Sequence, residues 1–201
     1  MVVTKNLSKV VGKNYDCYWT CRNLFRICKG SRASKKSKTT ALWYIYHMMK
    51  YPQANTLVVR KVERTLKDSC YTDLLWAMDR LGVRNKWKCT VNPLEMRLER
   101  KMKDADGRLY TNVQKILFRG MDDPQKITSI AVEQGVLCWG WFEEAYQITD
   151  ESLFNMVTMS IRGDIPEGSG LFFQYTLTFN PWRENWIKKR FFDNPKEDVF
   201  T

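Results

Sequence analysis

The chain is 201 residues long, with 33 Lys and Arg against 22 Asp and Glu, a formal net charge of +11 and 44% apolar residues. That composition supports a buried core, which excludes a disordered tail and a disulfide-stapled mini-protein. No stretch reaches the roughly eighteen uncharged apolar residues of a membrane-spanning helix, and the opening MVVTKNLSKVVGKNY lacks the apolar run of a secretion signal. The expectation is one domain in a reducing compartment, with no membrane role and with polyanionic partners.

The cysteines, Cys17, Cys21, Cys28, Cys70, Cys89 and Cys138, contain no Cys-x-x-Cys pair and are expected as buried thiols. His47 is the single histidine, which argues against a zinc site and against histidine-based nucleophilic catalysis.

Residues 22–28 (RNLFRIC) predict a short strand running into a basic loop, KGSRASKKSKTT. The apolar spacing of ALWYIYHMMKYP then predicts a helix closed by Pro52. Residues 56–62 (TLVVRKV) predict a buried strand, and 65–81 a helix capped by Gly82. Segments 95–103 and 108–118 flank an Asp-Ala-Asp-Gly turn and predict a β-hairpin. The run GVLCWGWF (135–142) predicts a strand with Glu143 and Glu144 at its end, and LFFQYTLTF (171–179) predicts another, ending at Asn180-Pro181. The segment WRENWIKKRFF follows; its interleaved aromatics and cations suit DNA contact, but the favoured reading packs Trp182, Trp186 and Phe191 on the sheet. Strands alternating with helices in the first half imply an α/β fold with a mostly parallel sheet and an inserted antiparallel hairpin.

The phosphate-loop pattern G-x-x-x-x-G-K-[ST] fits Gly30, Ser31, Arg32, Ala33, Ser34, Lys35, Lys36 and Ser37, with Lys35 where the second glycine belongs. Glycine there lets the backbone turn tightly with its N–H groups aimed at phosphate; a lysine is expected to fit if its φ is negative. In this reading Lys36 bridges the β- and γ-phosphates, Ser37 ligates Mg²⁺, and the N–H groups opening the next helix hold phosphate oxygens. Glu143 would hold the metal, through water, in place of the commoner Asp, and Glu144 would act as catalytic base. The plain alternatives are a solvated basic loop and a carboxylate pair drawn to a helix start.

Six segments come in a recognisable order: GSRASKKS, VVRKVERTLKDSCYTDL, FRGMDDPQKITSI, WFEEA, IRGDIPEG and TLTFNPWRENWIKKRFF. Through them the chain, from Asn14 to Phe192, resembles the ATPase half of tailed-phage terminase large subunits, the DNA-packaging motors. The resemblance implies a P-loop NTPase fold of the ASCE or RecA-like class over residues 1–192. Residues 193–201 would begin a linker to an RNase H-like nuclease domain, so nuclease activity is not expected of this chain. It further implies ATP and Mg²⁺ bound by residues 30–38, Lys38 included, with Arg32 stabilising charge on the γ-phosphate. Thr178 and Asn180 match the coupling motif. A cationic finger from a neighbouring subunit would be Lys126 or Arg119. The implied partners are double-stranded DNA, a portal protein, a small terminase subunit and further copies in a ring on the procapsid, in the host cytoplasm, the isolated domain being monomeric. Two other readings remain: a helicase-like or repair ATPase acting on single strands, and a basic DNA-binding module whose degenerate loop no longer hydrolyses nucleotide.

Overall fold

A computed structural model describes residues 10–11, 15–104, 106–123, 127, 129–181, 184–194 and 196–201. A short helix α1 (Asp16–Thr20) precedes β1 (Phe25–Lys29), which leads through the basic loop into α2 (Lys36–Lys50). Then come β2 (Ala54–Arg60), α3 (Thr72–Leu81), β3 (Trp87–Val91), β4 (Leu94–Lys103), β5 (Leu109–Gly120) and β6 (Val136–Glu143). The chain ends with α4 (Glu151–Ser160), β7 (Gln174–Phe179), α5 (Trp186–Lys188) and β8 (Val199–Phe200).

The strands form one sheet in the order β3-β4-β5-β2-β6-β7-β1-β8. Neighbours from β5 to β8 run parallel, while β3, β4 and β5 pair antiparallel, as the expected α/β fold with an added hairpin requires. At the hairpin tip Asp104 accepts the Arg108 N–H at 2.8 Å, and Gly107 takes a φ of 79° that a Cβ would resist. Strand β7 sits between β1 and β6, so the ends of all three open onto one edge. Ligands bind at such strand ends in open parallel sheets.

The two faces of the sheet carry separate cores. Helices α2 and α3 cover one, around Trp43, Tyr44, Trp139 and Trp141. Phe154 and Val157 of α4, with Ile187 and Phe191, cover the other. Strand β7 divides itself between them by strict alternation: Tyr175, Leu177 and Phe179 enter the second core, while buried Gln174, Thr176 and Thr178 lie on the other face. Strand β6 does not alternate throughout. Its register against β2 slips between Asn55 and Thr56, so that Asn55 pairs with Leu137 and Thr56 with Trp139. The bulge places both Cys138 and Trp139 in the α2 core and resets the period of two, so Trp139, Trp141 and Glu143 share the α2 face.

Several elements differ from the sequence reading. The expected helix over 65–81 is interrupted by a wide turn at Lys67–Tyr71, where Tyr71 N–H reaches back to Leu66 O at 3.0 Å. The Ser69 and Thr72 hydroxyls donate to the Thr65 and Lys67 carbonyls at 2.8 and 2.9 Å, an arrangement that competes with the regular ladder. Gly82 does cap α3, at φ 72°. Strand β3 and helix α4 were not anticipated; Asp150 caps α4 by accepting the Ser152 N–H at 2.8 Å. Residues past 192 are not wholly linker, because β8 pairs with β1 in the same sheet. The six cysteines are free thiols, but Cys17 is exposed and Cys28 and Cys89 only half-buried, against the expectation of uniform burial.

The basic-aromatic segment packs rather than displays its rings: Trp186 lies 4.9 Å from the Phe154 ring, and Phe191 is buried. Arg190 is held by Glu151 and Asn155 at 2.9 and 2.6 Å. Trp182 lies outside the described residues.

Gly140 on β6 tests how tightly the sheet faces are filled. A Cβ there would come within 2.7 Å of Ile161 Cδ1 and 3.2 Å of the Phe142 ring. Gly140→Val is expected to destabilise by about 1–3 kcal/mol through overpacking, lowering Tm by roughly 2–4 °C per kcal/mol at this size. Thermal denaturation checks this, and an unchanged Tm would contradict it.

Candidate nucleotide-binding site

The basic loop begins at Gly30, whose N–H bonds to Phe179 O at 3.2 Å and so ties the loop to the end of β7. It closes with Lys35 as N-cap of α2, its carbonyl accepting the Thr39 N–H at 2.9 Å. The negative φ on which the fit of a lysine was made to depend is not found: Lys35 adopts φ 61° and Ala33 φ 66°, both left-handed. Such conformations cost a residue with a Cβ roughly 1–2 kcal/mol. The chain therefore keeps a left-handed turn where glycine was expected, without the glycine. No acidic residue occupies the first turn of α2, so the partial positive charge of this 15-residue helix faces the loop uncompensated from within that turn.

Lys36 turns back into the loop. Its ammonium reaches Gly30 O at 2.7 Å, Ser31 O at 3.1 Å, Ser34 Oγ at 3.0 Å and Asn180 Oδ1 at 3.0 Å. Burial lowers its pKa, while the charges of Glu143 and Glu144 act in the opposite direction.

Glu143 ends β6 almost fully buried, at 8% exposure. Its Oε1 accepts the Ser37 hydroxyl at 2.8 Å and its Oε2 the Thr178 hydroxyl at 2.7 Å, with Glu144 N–H at 3.2 Å. Trp141, two residues earlier on the same face, donates its indole N–H to Thr178 Oγ1 at 2.8 Å. Burial raises the Glu143 pKa, against the lowering effect of the Thr178 and Ser37 hydroxyls. Glu144 follows in the left-handed region at φ 52°, half-buried. A cavity of about 260 Å³ is lined by residues 31–38, by Glu143 and Glu144, and by Thr178, Phe179 and Asn180.

Ser37 and Glu143 thus offer two hard oxygen donors at a helix N-terminus. Among the described residues no group of three or more His, Cys, Asp or Glu could hold a metal ion. A donor set this sparse fits Mg²⁺, which takes one or two protein oxygens and completes its shell with waters and phosphate oxygens.

The other expected site residues divide. Arg32 is exposed beside the cavity. Lys38 borders it, yet its ammonium pairs with Asp73 at 2.8 Å and lies over the Trp76 ring. Arg119 sits at the end of β5, separated from β6 by β2, and donates to the neighbouring Phe118 carbonyl at 2.7 Å. Lys126 lies outside the described residues. Sequence reasoning missed Trp141, which the period of two before Glu143 could have revealed, and Tyr15, whose hydroxyl donates to the Ser34 carbonyl within the loop.

A glycine-started loop that ends in Lys-Ser at a helix N-terminus, opposite a strand-end carboxylate and one strand removed from it, defines the phosphate-loop class of nucleotide site. The chain belongs to the phage terminase large subunit family, which it matches over residues 22–200. It is 30% identical over 171 residues to the terminase large subunit of Bacillus phage SPP1, a match covering 85% of this chain and 38% of that protein. A second relative, the PBSX phage terminase large subunit of Bacillus subtilis, is 24% identical over 195 residues, covering 96% of this chain and 40% of that protein. The chain therefore spans well under half the length of these relatives. Its fold is similar to the large terminase ATPase domain of Thermus phage P74-26, with TM-score 0.62, 10% identity, and 90% and 75% of the two chains covered.

The raised Glu143 pKa gives a signed expectation. A carboxyl raised in the fold contributes stability that is present at low pH and lost as pH rises through its folded value. The stability of the wild-type chain minus that of Glu143→Gln is expected to fall as pH climbs above the ordinary glutamate value of 4.5. Denaturant titrations in metal-free buffer across pH check this; a difference independent of pH would contradict it.

Proposed function

We propose that this chain is the Mg²⁺-dependent ATPase motor module of a terminase large subunit, coupling ATP hydrolysis to the packaging of double-stranded viral DNA. The observation that carries the reading is the direct bond from Ser37, the last residue of the loop motif, to Glu143 at the acidic strand end. Two motifs 106 residues apart in sequence are joined at one cavity. Family membership supports the same reading, as do neighbours of similar fold. These are the large terminase of a thermophilic bacteriophage in complex with ATP-gamma-S (TM-score 0.57, 16% identity, 89% and 38% of the two chains covered) and the N-terminal domain of the DNA packaging ATPase of bacteriophage phi29 (TM-score 0.57, 14% identity, 92% of both chains covered).

In this mechanism the N–H groups of the loop and of the first turn of α2 cradle the phosphates, and Lys36 neutralises the β- and γ-oxygens. Ser37 and Glu143 would hold Mg²⁺, which when bound supplies further neutralisation of the phosphate oxygens. Glu144 orients a water on the γ-phosphorus and accepts its proton as the bond to ADP breaks. Arg32 stabilises charge on the γ-phosphate, and Thr178 and Asn180 convey the state of the site to β7 and the segment after it. Lys35 would favour a degenerate loop only if it deformed the turn, and its left-handed φ supports a competent one.

A portal protein, a small terminase subunit and further copies of the chain in a ring are the proposed partners, with Lys126 or Arg119 serving a neighbour's site. A nuclease step is not assigned to this chain.

Glu144→Gln is expected to lower ATP turnover by about 10²- to 10⁴-fold while retaining nucleotide binding, and Lys36→Ala to abolish turnover. Steady-state phosphate release checks both, and full activity in Glu144→Gln would refute the assignment. Stimulation by double-stranded DNA should exceed that by single strands; the reverse order favours the helicase-like reading.

A further inference from the structure

A left-handed residue with a side chain persists only where its surroundings over-determine it. Glycine would let the loop turn freely at position 35; lysine does not, so something outside the turn must hold it. The Ser34–Lys35 peptide plane is set in part by φ of Lys35, which stands at 61°. The carbonyl of that peptide, Ser34 O, accepts the hydroxyl of Tyr15, 19 residues earlier and immediately before α1. Rotating Lys35 into the right-handed region would swing this carbonyl away from Tyr15.

The anchor is itself held. Tyr18, one turn on, bonds through its hydroxyl to Thr40 of α2 at 2.7 Å, and its ring meets that of Tyr15 edge-on at 5.9 Å. Beneath it the fully buried Arg26 of β1 donates to Tyr18 O at 3.2 Å and to Thr176 Oγ1 at 2.7 Å. The Arg26 guanidinium lies between the Tyr18 and Trp43 rings, 4.1 Å from each. Helix α1 is therefore fastened to β1, β7 and α2 at once. A phenol is protonated at neutral pH, and burial moves the Tyr15 pKa further up, so its hydroxyl is a donor there.

We infer that Tyr15 is a positioning residue for the phosphate loop: its bond to the Ser34 carbonyl holds Lys35 left-handed and takes the place of the missing second glycine. This rests on the reading that the loop cradles nucleotide phosphates. The inference makes Tyr15 and Lys35 an interdependent pair, because a glycine at 35 removes the Cβ penalty that Tyr15 counters.

The test is a double-mutant cycle on the chain as it stands, with Mg²⁺ and ATP-γ-S affinity measured by calorimetry. Tyr15→Phe, which keeps the ring, is expected to weaken affinity on the order of tenfold. In the Lys35→Gly background the same change should leave affinity within about twofold of Lys35→Gly alone. Equal losses in both backgrounds would mean that Tyr15 acts independently of Lys35 and would overturn the inference, as would no loss in Tyr15→Phe. Amide hydrogen exchange of residues 33–36 in nucleotide-free protein gives a second readout. Faster exchange in Tyr15→Phe supports the clamp, and unchanged exchange overturns it. If exchange responds but the wild-type chain binds no nucleotide, the clamp stands and the nucleotide reading fails.

Discussion

A carboxylate withdrawn from water must be met by donors, and the arrangement of the site follows from how Glu143 meets that demand. Leaving such a group buried and unpaired costs several kcal/mol. Its donors come from three places: Ser37 on the first turn of α2, Thr178 on β7 and the N–H of Glu144. An indole N–H can only donate and an ionised carboxylate can only accept, so the Thr178 hydroxyl between them takes the Trp141 N–H on a lone pair and gives its own proton to Glu143. The start of α2 is thereby fixed against the ends of β6 and β7. That is the placement a phosphate loop needs if its helix N-terminus is to face a strand-end acid.

That placement depends in turn on the phase of β6, which the sequence does not display. Each residue of GVLCWGWF from Val136 on is buried, so no alternation of polar and apolar marks its faces. Without the bulge opposite Asn55 and Thr56, Glu143 would fall on the α4 side of the sheet. The bulge has a local cause: the Asn55 amide donates to Gln134 O at 2.8 Å and accepts the Lys115 N–H at 2.7 Å, standing in for ladder bonds. What could be read directly was the local patterning, namely the apolar runs of β1, β2, β6 and β7, the hairpin turn, the Gly82 cap and the Lys-Ser and Glu-Glu pairs. Strand β3 escaped because it is a five-residue edge strand, too short for the alternation of Trp87, Cys89 and Val91 with Lys88 and Thr90 to stand out. The clamp from Tyr15 to Ser34 escaped because its partners are far apart in sequence and belong to no motif.

The charge excess likewise looks different once its partners are known. Arg26 is buried between aromatic rings, Lys38 pairs with Asp73, Arg190 with Glu151, and Lys115 with Glu133. These cations fasten elements together; three of the four are matched by a carboxylate and so take nothing from the +11 excess. In the proposed function the DNA partner is argued from family membership, and not from the net charge.

Lys36 shows how the same fastening can carry information. An ammonium has three N–H donors, yet four acceptors lie within 3.1 Å of it, so one is always surplus. Three of them, Gly30 O, Ser31 O and Ser34 Oγ, belong to the loop itself; the fourth, Asn180 Oδ1, belongs to the segment leaving β7. In the proposed function a phosphate oxygen adds a charged acceptor stronger than any of these neutral ones. The loop carbonyls are held by backbone geometry, whereas the Ser34 hydroxyl and the Asn180 amide can be released by side-chain rotation. Only Asn180 of these two lies outside the loop, so in the proposed function its displacement by phosphate would loosen the side-chain tie between the loop and the segment after β7, leaving the Gly30 N–H to Phe179 O bond in place.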